Sequence, residues 1–224
     1  MIIGSPFDGQ GGILVHASRP PPGDGSLHFD ADERWVVGAV PGLVNGTNPH
    51  IVSHYSFFPD KSRRPDSELH LTYEFPTGNH REAVKAMSQA FQKWSSVTKF
   101  KFHYTRNYEN AKLKIGFYRR DHEDRSPFDS PGGVLAHAFG LGNGRLHFDE
   151  DERCVVVAVP GAFGIRKVGL REIGHVLGLG HSTVEAPIMR PYVPDGATKD
   201  LDEDDIQGIK ILYDLMRIYC GIGP

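Results

Sequence analysis

The stretch from Arg171 to Met189 constrains this chain more than any other, because it spaces reactive side chains around a predicted helix end. The apolar positions of the stretch predict a buried helix, and they are Ile173, Val176, Leu177 and Leu179. Gly178 can end that helix, since glycine turns a chain out of a helix at positive φ. The stretch is therefore a buried helix followed by a sharp turn.

The spacing of the polar residues predicts a zinc site. Position 171 lies one turn before His175, so the two share a helix face. After the turn, His181 can return toward that face. Two ligand positions on a helix and a third on the returning chain form a zinc site, and Glu172 beside the first position would serve as general base.

These residues resemble the signature of the metzincin metalloproteases, H-E-x-x-H-x-x-G-x-x-H followed by a methionine turn. The resemblance assigns roles to five positions: Glu172 as catalytic base, His175 and His181 as catalytic zinc ligands, Gly178 as the turn, and Met189 as the Met-turn. The first histidine of the signature is replaced by Arg171. A guanidinium has no lone pair and stays protonated, so we expect a large loss of affinity for catalytic zinc.

A second group of residues has the composition of a structural zinc site. The group consists of His122, Asp124, His137 and His147. Three imidazoles and one carboxylate complete a tetrahedral zinc set with no open position, as in structural sites. The same H-x-D…H…H pattern holds a structural zinc ion in the matrixins, the metzincin subfamily that the chain resembles.

A calcium site is predicted next to this group. Asp129 opens a glycine-rich loop whose carbonyl groups could face a cation, and two further carboxylates follow on the chain. Carboxylate and carbonyl oxygens are the ligands that calcium takes. The expected ligands are Asp129, Ser130, Gly132, Val134, Asp149 and Glu152. The alternative is a solvated acidic turn.

The N-terminus repeats part of this metal-binding region. Residues 5–17 match residues 126–138, and residues 27–34 match residues 146–153. The first copy has no counterpart of His122 and Asp124, so we expect it to hold no zinc. It could pair strands with the larger domain or form a poorly packed appendage, and we favour the appendage.

The remaining pattern gives the domain organisation. We predict a truncated duplicate over residues 1–42, a Pro- and Gly-punctuated linker over 43–66, a catalytic domain over 67–215 and a tail over 216–224. Alternation predicts strands at 69–75, 100–104 and 113–117, and an apolar stripe predicts a helix at 79–97. This order resembles the α+β matrixin domain, which has a twisted mixed five-stranded sheet with about three helices.

Composition excludes several classes of function. A net charge of −3 argues against a nucleic-acid surface, and no apolar run reaches transmembrane length. Two cysteines cannot build a disulfide framework. No secretory signal is visible at Met1, although the resemblance implies an extracellular location. We expect a monomer that acts on a protein or peptide substrate.

Two functions remain open at this point. The first is a zinc-dependent endopeptidase, impaired by Arg171. The second is a catalytically dead remnant that binds structural zinc and calcium only. Arg171 is the feature that separates them, and it favours the second.

Overall fold

The computed structural model describes residues 13–18, 36–37, 55–57, 63–76, 81–129, 131–139, 142–194, 196 and 198–215. Its core is a twisted sheet with helices packed against it. Among the described residues, no helix has the length and apolar character needed to cross a membrane.

Five strands of the main sheet come from the predicted catalytic domain. They are β4 (His70–Glu74), β5 (Lys101–Tyr104), β6 (Leu113–Tyr118), β7 (Val134–Phe139) and β8 (Arg145–Asp149). Their order is β7-β8-β6-β4-β5, with β7 antiparallel to β8 and the other neighbours parallel. The predicted mixed five-stranded α+β fold is therefore confirmed.

The sheet has a sixth strand, supplied by the N-terminal copy. β1 (Ile13–Ser18) pairs antiparallel with β7, with His16 opposite its counterpart His137. The appendage interpretation is wrong for this segment, because the outer edge of β7 carries backbone groups that a copied strand can pair with. A second piece of the copy, β2 (Val36–Val37), pairs antiparallel with β3 (Ser56–Phe57).

The described residues form three α-helices, as predicted: α1 (Arg81–Val97), α2 (Ile165–Val176) and α3 (Glu203–Lys210). Of these, α1 and α2 pack against strands of the sheet. In α1 the predicted stripe is buried at Met87, Phe91 and Trp94, and Trp94 Nε1 donates to the backbone oxygen of Leu170 in α2 (2.8 Å). Short strands β9 (Cys154–Val155) and β10 (Phe163–Gly164) pair just before α2.

Part of the predicted linker is built into the domain. Tyr55 and Phe57 are buried in the core, and the Arg64 side chain is buried as well. Arg64 Nε donates to the Val176 oxygen (3.3 Å), while the Tyr213 hydroxyl donates to the Leu177 oxygen (2.7 Å). The last carbonyls of α2, which lack partners within the helix, are satisfied in this way. Residues far apart in the chain thus hold the end of the helix that carries the candidate site.

Candidate active site and metal centres

Helix α2 is buried along nearly its whole length, as its apolar pattern predicts. It ends next to Gly178, whose φ of 103° lies in the region that glycine adopts without strain. Gly174 is required for a different reason: a Cβ there would lie 2.4 Å from the Met189 sulfur. The helix can therefore approach the predicted Met-turn closely, and Met189 packs in the core beneath the site.

The side chain of Arg171 is fully buried and points into the predicted catalytic centre. Its Nη1 donates to Glu172 Oε1 (2.6 Å), and its Nη2 lies 2.5 Å from His181 Nε2. Its Nε donates to the Arg190 oxygen (3.0 Å), and Nη2 also reaches the Pro191 oxygen (3.3 Å). The guanidinium is thus anchored by four different residues and spans the predicted base and a predicted ligand.

Glu172 has the position of a base but lies in an ion pair. Both its side chain and that of Arg171 are fully buried. Burial raises the pKa of Glu172 to about 7, and the charge and hydrogen bond of Arg171 act in the opposite direction. Its second oxygen, Oε2, is buried without a hydrogen-bond partner among the described residues. The carboxylate can hold a proton, but one of its oxygens is already engaged.

The two predicted zinc-binding histidines lie together, with ring centroids 5.1 Å apart. His175 Nδ1 is 2.8 Å from the Leu179 oxygen, a contact in which Nδ1 donates, so the lone pair of the ring is on Nε2. Burial, followed by the charge of Arg171, holds the pKa of His175 well below its usual range. His181 instead directs Nε2 at Arg171, a donor. The structure brings Glu172, His175 and His181 together as predicted, with a cation between them.

Asp205 is a residue of this site that the sequence reasoning missed. Its carboxylate accepts hydrogen bonds from the backbone N–H groups of Ile188 (2.9 Å), Met189 (3.2 Å) and Asp202 (2.8 Å). It therefore ties the first turn of α3 to the Met-turn. Acidic residues in the first turn of a helix suit its dipole, so residue type alone gives Asp205 no role beyond that match. Asp205, Gly208 and Ile209 are the buried residues of α3, so the carboxylate lies on the inward face of the helix.

The four predicted structural zinc ligands converge on one point. The set is His122, Asp124, His137 and His147, and its ligand atoms all lie within 4.8 Å of one another. Asp124 Oδ2 is 2.7 Å from His122 Nε2, 3.0 Å from His137 Nε2 and 2.8 Å from His147 Nδ1. Paired strands β7 and β8 place His137 opposite His147. These four groups could therefore hold a metal ion between them.

The electrostatics of this cluster also suit a dication. Burial would raise the pKa of Asp124, but hydrogen bonds from His137, His147 and the Ser126 N–H outweigh it and hold that pKa well below its usual range. Burial lowers the pKa of His137 to about 4. Asp124 is thus ionised and His137 neutral, which are the forms that bind zinc.

The predicted calcium ligands form an acidic pocket beside this cluster. Asp129 Oδ1 accepts from the Val134 N–H (3.0 Å), and Glu152 Oε1 accepts from the Gly132 N–H. Asp149 is fully buried, and its Oδ2 has no hydrogen-bond partner among the described residues. Burial, together with the charges of neighbouring carboxylates, raises the pKa of Asp149 to about 6. Buried carboxylates that repel one another fit a bound cation. Ser130 lies outside the described residues.

Comparison with known proteins gives the same assignment. The sequence model of the peptidase family described as matrixin matches residues 3–56 and 63–214. Metalloendoproteinase 2-MMP of Arabidopsis thaliana is 42% identical over 177 residues, covering 75% of this chain and 47% of that protein. Metalloendoproteinase 1 of Glycine max is 41% identical over 187 residues, covering 78% of this chain and 61% of that protein. This chain thus spans about half the length of these plant relatives.

Similarity extends to animal proteins. Interstitial collagenase of Sus scrofa is 42% identical over 154 residues, which make up 64% of this chain and 32% of that protein. The described site and the compared sequences therefore agree on the class of metal-binding domain.

Proposed function

Because this chain belongs to the matrixin family of zinc metalloproteases, we propose that it is a metalloendopeptidase domain that holds structural zinc and calcium but has lost most of its peptidase activity. The observation that carries the proposal is the position of Arg171. Its guanidinium contacts the base Glu172 and the ligand atom of His181 at once. Both groups are needed for catalysis in the family that the chain belongs to.

The residues around Arg171 do not fit a catalytic zinc ion. A zinc ion in such a site polarises the scissile carbonyl group and acidifies a bound water molecule. Only two imidazoles remain here, and a fixed positive charge lies between Glu172 and His181. A +1 and a +2 charge about 4 Å apart repel by ~8 kcal/mol at an effective dielectric of ~20. Losing one of several ligands removes roughly 3–4 of the ~10–16 kcal/mol of a structural zinc site.

The hydrogen bonds around Arg171 hold its side chain in the predicted catalytic centre. Rotation away from the centre would break its bonds to the Arg190 and Pro191 oxygens and strand a buried charge. Separating a buried ion pair costs about 3–5 kcal/mol. Arg171 also engages Glu172 Oε1, which leaves only Oε2 to accept a proton from water. The substitution therefore weakens both metal binding and base catalysis.

The other two centres fit their ions. The cluster of His122, Asp124, His137 and His147 would hold zinc, with no open position for chemistry. Asp129, Asp149 and Glu152 would hold calcium, with carbonyl oxygens of residues 130, 132 and 134 as further ligands. We expect the protein to act outside cells, where millimolar calcium fills such sites, and to contact protein or peptide chains.

A second candidate function is binding without cleavage. It is favoured by the same ion pair, since Arg171 disables the catalytic centre while the structural centres keep all of their described ligand groups. In this case the domain would bind an extended protein segment and release it unchanged. The two candidates differ only in residual turnover, and one experiment separates them.

The test is metal analysis and peptide cleavage of the purified protein and of Arg171→His. We expect one zinc ion per unmodified chain and two per Arg171→His chain, with cleavage of a quenched-fluorescent peptide rising at least 100-fold in the variant. Glu172→Ala in the Arg171→His background should abolish the gain. Arg166→His, which adds an imidazole elsewhere on α2, is the matched control and should leave zinc content unchanged.

The opposite result is well defined. If the unmodified chain cleaves as fast as Arg171→His and both lose activity with Glu172→Ala, Arg171 does not disable the site. If the unmodified chain binds a labelled peptide but shows no Glu172-dependent turnover, the binding function is supported instead.

A further inference from the structure

The outer edge of β7 is occupied by another part of the same chain. In the five-stranded sheet, β7 is the end strand, and its far side presents unpaired backbone N–H and C=O groups. Such an edge can take up an extended peptide as an added strand. Here β1 has that place, running antiparallel to β7 from Ile13 to Ser18.

This edge lies beside the candidate active site. β7 carries His137, a predicted structural zinc ligand. Residues of β1 and of β7 both have Cα atoms within 8 Å of residues in α2, the helix that carries Arg171, Glu172 and His175. An extended chain paired with β7 on this side therefore passes the catalytic helix.

We propose that β1 is an internal occupant of a peptide-docking edge, so that the N-terminal copy restricts access of extended protein segments to the site. The proposal rests on the proposed function, since it concerns the same cleft. Its ligand class is an extended polypeptide recognised through its backbone. The copied strand is suited to this role because backbone pairing depends little on side-chain identity.

The copy is also held at a second point near the site. β2 pairs with β3, whose Ser56 oxygen accepts from the Gly180 N–H (2.8 Å). The Ser56 hydroxyl in turn donates to the His181 oxygen (2.7 Å). This anchor, which follows β1 in the chain, keeps β1 near β7, and tethered segments compete at an effective concentration that reaches the millimolar range. A free peptide at lower concentration is therefore excluded.

The pairing is nonetheless displaceable. The register between β1 and β7 is interrupted twice, between Ile13 and Val15 and between Ala17 and Ser18. Such irregularities disrupt a ladder locally and leave fewer regular bonds to break. An edge strand of six residues held this way can exchange with a competing chain rather than close the site permanently.

The first test is hydrogen exchange of the full-length protein. Val15→Pro/His16→Pro removes two successive backbone N–H groups of β1, one of which faces β7 in any strand pairing. We expect amide exchange in residues 134–139 to become at least tenfold faster than in the unmodified protein. Arg19→Pro, just beyond the strand, is the matched control and should leave exchange unchanged. Unchanged exchange in the double proline variant would overturn the proposal.

The second test measures docking itself. The probe is a labelled peptide with the sequence of residues 11–18, and we expect it to bind Val15→Pro/His16→Pro at least tenfold more tightly than the unmodified chain. Should the proline variant fail to fold, Val15→Cys/Ala138→Cys places a disulfide across paired residues. The oxidised form should exclude the peptide, and the reduced form should bind it. Equal binding in both forms contradicts an internal occupant.

Activity separates this inference from the proposed function. In the Arg171→His background, Val15→Pro/His16→Pro should raise kcat/KM for a peptide substrate about tenfold. If Arg171→His is inactive with or without the prolines, but exchange and peptide binding change as expected, the proposed function fails while the docking edge stands. If Arg171→His is active and the prolines alter neither exchange nor binding, the docking inference fails alone.

Discussion

Arg171 Nη2 and His181 Nε2 lie 2.5 Å apart, so the atom that would bind a catalytic metal accepts a hydrogen bond from an arginine instead. The contact links the first and last positions of the metal-binding signature. It also explains how a cation can be fully buried at this point: the guanidinium has Glu172 on one side and two backbone oxygens on the other.

The ion pair of Arg171 and Glu172 should be strongly coupled. Arg171→Met leaves Glu172 buried without its partner, and we expect the free energy of unfolding to fall by about 3–5 kcal/mol. Arg171→Met/Glu172→Gln removes both charges and should recover most of that loss. Urea unfolding of the two single variants and the double variant measures the coupling energy. Additive effects would show that the pair contributes no specific stabilisation.

The structural zinc cluster should be specific to the second copy of the repeat. His137→Ala removes a buried ligand of the four-residue cluster, so we expect zinc loss and a fall of the melting temperature by about 10 °C, since 1 kcal/mol corresponds to roughly 2–4 °C at this size. His16→Ala, at the matching position of the first copy, should change neither zinc content nor melting temperature. Thermal unfolding with parallel metal analysis decides the point. Equal effects of the two substitutions would contradict it.

Calcium should stabilise the folded protein. Asp149 is fully buried beside other carboxylates, and a cation would offset their repulsion. For a site that binds only the native state, saturation to about 100 times Kd adds ~2.7 kcal/mol. We expect millimolar calcium to raise the melting temperature of chelator-treated protein by several degrees. Asp149→Asn should lose this response, whereas Glu150→Gln, on the exposed side of the same turn, should keep it.

Asp205 should make stability depend on pH. Burial raises its pKa from 3.8 to about 6, although three backbone hydrogen bonds act in the opposite direction. Between these two values the folded protein binds a proton that the unfolded chain has released. The free energy of unfolding therefore falls as pH rises through this window, by about 3 kcal/mol at 1.36 kcal/mol per pH unit.

The measurement for Asp205 is urea unfolding at intervals from pH 4 to pH 7, with calcium kept saturating. Asp205→Asn removes the titrating group, so its curve should be flatter than that of the unmodified protein over the same range. Asp202→Asn, which caps the same helix from a more exposed position, should preserve the slope. Parallel curves for the unmodified protein and Asp205→Asn would exclude Asp205 as the source.

The helix that carries Glu172 and His175 could be predicted from its own residues, because the spacing of apolar side chains along a helix determines which face is buried. The convergence of His137 and His147 could also be predicted, since they lie on neighbouring strands that pair directly. Zinc binding by their cluster stays a prediction. The contact of Asp205 with the Met-turn could not be predicted. Its partners are backbone N–H groups, which every residue except proline has, so the sequence does not mark them. The pairing of β1 with β7 escaped prediction for a related reason: any strand edge can accept any extended segment, so pattern alone does not select the partner.

The way in which α2 ends has a consequence for how the domain can be divided. Its last carbonyl groups accept hydrogen bonds from Arg64 and Tyr213. Arg64 precedes the predicted start of the domain at residue 67, and Tyr213 lies close to its predicted end at residue 215. A recombinant fragment that begins at residue 67 would leave out Arg64 together with the buried Tyr55 and Phe57. The helix would then lose a bond at the end from which the chain turns toward His181. The smallest unit that preserves this helix end therefore extends from about residue 55 to residue 215.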